Sequence, residues 1–91
     1  MRRSVSMITA SVVAAHLTSY LRHERSLAEL VDWAEEVMME EEFVPEQYEV
    51  IRDVVARLGL ADVRAFGLTW EDCEQFLERL GYTVNVEVNA L

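Results

Sequence analysis

Between Ser26 and Glu40 the apolar residues Leu27, Leu30, Val31, Ala34, Val37 and Met38 return in the i, i+3, i+4, i+7 rhythm of one helix face. A helix with such a stripe must bury it, so the chain has to supply further elements to pack against it. The stripe opens on Ser26-Leu27-Ala28-Glu29, a capping box in which hydroxyl and carboxylate satisfy reciprocal backbone donors. It closes poorly on Glu40-Glu41-Glu42, because clustered anions oppose the negative end of the helix dipole.

Similar punctuation sets out the other elements. Thr9 reads as an N-cap, with Ala10, Val13, Leu17, Tyr20 and Leu21 on one face of a first helix. Pro45 suits the first turn of a third helix, whose face is Tyr48, Ile51, Val54, Val55 and Leu58. Gly59 is expected to end it at C′, with Leu60 folding back in a Schellman contact. Leu60–Phe66 reads as one short helical turn ending at Gly67. Thr69-Trp70-Glu71-Asp72 is a second capping phrase, opening a helix with Trp70, Cys73, Phe76, Leu77 and Leu80 inward and Gly81 as its stop. From Thr83 to Val88 the pattern alternates with period two, which predicts a half-buried strand. The expected fold is mainly α, a compact bundle of four to five short helices with one C-terminal β-strand over 83–88. Residues 1–8 read as a leader or short extended segment, and 9–91 as a single domain.

At 91 residues the chain has room for one small domain. A single cysteine excludes an internal disulfide, and no apolar run is long enough to span a membrane. The formal net charge is -9 and is concentrated: Glu24 to Asp53 holds eleven acids and two arginines, while six acids and six arginines lie outside. Such a field disfavours nucleic acid and anionic lipid and complements a basic protein. Met1-Arg2-Arg3 before Ile8 and Val12-Val13 has a faint secretory flavour. Ser4, Ser6, Thr9 and Ser11 break the apolar run, so a cytoplasmic protein is expected.

Tyr20-Leu21-Arg22-His23, Ser26-Leu27-Ala28-Glu29-Leu30-Val31-Asp32-Trp33-Ala34-Glu35 and Gly67-Leu68-Thr69-Trp70-Glu71 resemble a group of short acidic bacterial proteins. The likeness spans most of Met7 to Val88 and implies a fold and a cytoplasmic bacterial setting, with no activity attached. In size and charge the chain is also similar to immunity proteins and antitoxins, an association that identifies no site.

Residues able to carry chemistry are few. His16 and His23 are seven apart, ~10 Å along a helix axis, too far to share one metal directly. Cys73 lies within an apolar stripe, where a structural thiol is favoured over a nucleophile. No local signature groups a nucleophile with a base and an oxyanion donor, and no glycine-rich phosphate loop occurs. The expectation is a non-enzyme with no cofactor and no metal.

The acids Glu29, Asp32, Glu36 and Glu40 line the outer face of the second helix, a solvated face by default. Trp33 stands beside them, either as a rim over the core or as an exposed aromatic anchor. These five residues are the expected partner-binding set, for a basic protein in the manner of an antitoxin or immunity protein. Val84, Val86 and Val88 are the expected self-association set, pairing across a two-fold axis as a homodimer or else with Ser4–Ile8. Two other readings stand beside this one: a homo-oligomeric accessory or structural subunit, and a small metal-binding protein or enzyme using His16 and Cys73.

Overall fold

The computed structural model describes residues 7–40, 42–63, 66–85 and 87–88. The chain order is β1 (Met7–Ile8), α1 (Ala10–Leu21), α2 (Leu27–Glu40), β2 (Glu42–Phe43), α3 (Tyr48–Leu58) and α4 (Trp70–Arg79). The mainly α architecture expected from the apolar rhythm is present, with four helices around one core.

Capping accounts for most helix starts. The Thr9 hydroxyl accepts from Val12 N–H at the head of α1. Ser26 N–H donates to Glu29 Oε1 at 2.8 Å and Glu29 N–H to Ser26 Oγ at 3.1 Å, the expected box at α2. Thr69 and Asp72 make the same exchange at α4. The buried stripes then meet. Val13 and Leu17 of α1, Leu30, Ala34 and Val37 of α2, Ile51, Val54, Val55 and Leu58 of α3, and Cys73, Phe76, Leu77 and Leu80 of α4 form the core. Contact between α2 and α3 is the most extensive among the helices.

Several expectations are corrected. The strand over 83–88 is not formed: residues 83–85 and 87–88 carry no sheet pairing. Val84 is half-buried against the core, whereas Val88 is 93% exposed, so the two do not share one packed side. Val86 lies outside the described residues. The pairing that does occur is a short parallel one, Met7 opposite Glu42 and Ile8 opposite Phe43, continued by Val44 N–H to Ile8 O at 3.1 Å. Ile8 is buried, so Met7–Ile8 belong to the folded unit; residues 1–6 lie outside the described residues.

Helix α3 starts at Tyr48, after a turn in which Tyr48 N–H donates to Pro45 O, and Tyr48 is exposed. Gly59 stays right-handed at φ -65 and the chain continues through i→i+3 turns, leaving Leu60 exposed. Schellman closures occur elsewhere. At α4, Gly81 (φ 100) places Gly81 N–H on Glu78 O and Tyr82 N–H on Leu77 O. At α1, His23 takes the same role at φ 64, with His23 N–H on Tyr20 O and Glu24 N–H on Ser19 O.

Candidate functional site

The outer face of α2 is built by its inner one. Burial of Leu30, Val31, Ala34 and Val37 turns Glu29, Asp32, Glu35 and Glu36 to solvent, and all four are exposed. The structure therefore brings Glu29, Asp32 and Glu36 onto one exposed row. The Glu40 side chain lies outside the described residues. Glu29 already uses Oε1 to cap Ser26, so it is tied to the helix end while Asp32 and Glu36 are not. On α3, packed beside α2, Glu49 and Asp53 are exposed as well. Among the described residues the two ion pairs are Arg57–Asp72 and Arg79–Asp53, so only Asp53 of the acidic window has a cation within 4.0 Å.

Trp33 is the rim of the core. It is half-buried, and its ring stacks on His16 of α1 with centroids 3.8 Å apart and planes 12° from parallel. The stack holds α1 against α2 and removes Trp33 from the open acidic row. His16 Nδ1 is buried with no hydrogen-bond partner. Burial, assisted by the positive charge of Arg25, lowers the imidazole pKa to about 4, so the ring is neutral near pH 7. No residue spacing within one helix could have revealed this cross-helix pair.

The other titratable residues are dispersed. His23 terminates α1. Cys73 is buried, and burial together with the Asp72 carboxylate pushes its thiol up to about 11, far from a thiolate near neutrality. His16 makes no hydrogen bond to it through Nδ1. Among the described residues no group of three His, Cys, Asp or Glu side chains could hold a metal ion.

Two open depressions flank Trp70, which is 41% exposed rather than inward. One, about 510 Å³, lies between the α1–α2 turn and the head of α4, with Tyr20, Arg25 and Leu68 in its wall. The other runs along the small side chains Ser11, Ala15 and Ser19 of α1 toward Val84. The helix pattern places Trp70 inward, so sequence reading missed both. No helix among the described residues is long and apolar enough to cross a membrane. No protein-family model, curated protein or solved structure matches the chain.

Proposed function

We propose that this chain is a non-catalytic protein-binding module whose acidic α2–α3 surface receives a basic protein partner, in the manner of an antitoxin or immunity protein. One observation carries the reading. The segment holding the whole net charge of -9, Glu24 to Asp53, takes in α2, β2 and the first half of α3, and among the described residues Asp32, Glu35, Glu36, Glu46 and Glu49 stand exposed there without ion pairs. Asp32 and Glu36 are i, i+4 neighbours of like charge, an arrangement that costs a few tenths of a kcal/mol in the free protein. A basic face relieves that repulsion on binding and steers the encounter.

The site residues in this reading are Asp32 and Glu36 with Glu29 at the head of the row, Glu40 being counted with them on its sequence spacing alone, and Trp33 supports the row from beneath. The test uses a partner captured from the native bacterial cytoplasm and then purified. Its association rate should fall several-fold between low and physiological salt, because exposed charges are screened beyond ~8–10 Å. Asp32→Arg with Glu36→Arg should weaken binding by about tenfold or more. An unchanged affinity in that double variant would remove the proposal.

A further inference from the structure

The depression between the α1–α2 turn and the head of α4, about 510 Å³, falls within the ~300–1,000 Å³ typical of small-molecule sites. Two aromatic side chains line it: Tyr20 of α1, half-buried, and Trp70 of α4, 41% exposed. Among the described residues the rings in mutual contact are His16 with Trp33 and Phe43 with Tyr48. Neither Tyr20 nor Trp70 is spent on another ring, which leaves aromatic surface for a flat guest.

The polar groups of the same depression are of both kinds. Ser26 Oγ accepts from Glu29 N–H and the Thr69 hydroxyl from Asp72 N–H, so each hydroxyl keeps its proton to donate. Arg25 adds a guanidinium that makes no ion pair among the described residues. Glu24 is an acceptor, and so is the second carboxylate oxygen of Glu29, whose Oε1 holds Ser26 N–H. A purely apolar ring would leave these groups unmatched. A carboxylate or phosphate would meet two glutamates against one arginine, within the field of a chain of net charge -9. What matches both the walls and the charge is a neutral planar heterocycle with donors and acceptors side by side on its edge.

We propose that this depression binds a 6-oxopurine, as base or nucleoside, stacked on Trp70. The planar fork of an arginine is the usual partner of the adjacent O6 and N7 acceptors of such a ring, and a carboxylate takes a ring N–H. The same charge balance discriminates against the phosphorylated nucleotide. Stacking supplies roughly 1–3 kcal/mol per base, and hydrogen bonds in an open site add little more, so a dissociation constant on the order of 0.1–1 mM is expected. The inference needs no protein partner, and it fails or stands apart from the reading of the acidic α2–α3 surface.

Inosine is the probe. Titrated to about 10 mM into isotope-labelled protein, it should shift the backbone amide signals of Ser26 and Thr69 and the indole N–H of Trp70 saturably. Inosine 5′-monophosphate should bind at least about threefold more weakly at low salt, with the gap closing as salt screens its charge. Benzyl alcohol, flat but without the paired edge, should bind at least about tenfold more weakly than inosine. Trp70→Ala, still helical by circular dichroism, should weaken inosine at least about fivefold, the lower end of a lost stack. Glu24→Gln takes no part in a cap, so it leaves the fold intact; it should weaken inosine about threefold and narrow the gap to the monophosphate. The absence of a saturable shift through about 10 mM, shifts centred away from Ser26, Thr69 and Trp70, benzyl alcohol binding as tightly as inosine, or an affinity unchanged in Glu24→Gln or in folded Trp70→Ala would overturn the proposal.

Discussion

His23 holds a left-handed backbone, φ 64, with a β-carbon that such a conformation disfavours by roughly 1–2 kcal/mol. The C′ position of a Schellman closure is where glycine ordinarily stands, as Gly81 does after α4. His23→Gly should therefore stabilise the fold by about 0.5–1 kcal/mol, the relief of strain less the added entropy of the unfolded chain. Gly81→Ala, at φ 100, should cost about 1 kcal/mol or more by the converse argument. Urea midpoints for the two variants, moving in opposite directions at constant slope, check both. His16 makes a different prediction. Its folded pKa of about 4 lies below the ordinary 6.5, so the unfolded chain binds the proton more readily. The neutral ring's contribution is complete above pH 6.5 and is lost as pH falls through about 4. His16→Phe keeps an aromatic ring on Trp33 and removes the unpartnered nitrogen. Wild-type thermal stability should fall between pH 6.5 and 4 relative to that variant, by roughly 5 °C, or about 1 kcal/mol after allowance for solvent screening.

Helix α4 depends on a joint that its own sequence does not contain. Asp72 accepts the Thr69 N–H at 3.0 Å, and this backbone bond, with the Thr69 hydroxyl and the charge of Arg57, holds its carboxyl below the usual range. The fork of Arg57 ties the end of α3 to two carbonyls and this cap. Arg57→Ala should cost about 1–2 kcal/mol, and Arg57→Lys should recover less than half, because an ammonium cannot reproduce the planar fork. Chemical denaturation of both variants, with Thr69→Ala as the reference for a lost cap of ~1 kcal/mol, measures this.

Such joints mark the boundary of what sequence conveyed. Both capping boxes and all four buried stripes were legible, since they rest on spacings of three and four residues within one helix. The Val84–Val88 alternation was misleading because strand preference expresses packing on a neighbour, and among the described residues no strand pairs with it. The pairing of Met7–Ile8 with Glu42–Phe43 gave no signal, two residues being too few to carry a period. Gly59 was read as a left-handed stop, yet the i→i+3 turns beyond it need only right-handed geometry. Of the candidate site, the exposed acids followed from the helix wheel. The turning of Trp33 onto His16 did not, because it depends on the packing of α1 against α2.

At the scale of the molecule, the acidic surface is carried against the stability of the fold. Helix α2 holds five acids and no base, and Glu46, Glu49 and Asp53 lie at the head of α3, the helix it contacts most, against Arg52 alone, so packing brings like charges together that the unfolded chain keeps apart. The two ion pairs among the described residues are at least partly solvent-exposed and recover little. Screening should then favour the folded state: raising sodium chloride from about 10 mM to 300 mM, a Debye length from roughly 30 to 6 Å, should increase the melting temperature by several degrees. Screening of the Arg57–Asp72 and Arg79–Asp53 pairs acts the other way, but two exposed pairs are outweighed by a net charge of -9. Glu36→Arg supplies the control. It replaces a repulsive i, i+4 neighbour of Asp32 with an attractive one and lowers the net charge by two, so it should raise stability at 10 mM salt by about 0.5 kcal/mol and flatten the salt dependence. Thermal melts of the two proteins at matched salt decide the matter, for a melting temperature that falls with salt in the wild type would mean that attractive pairs, not crowded acids, govern its electrostatics.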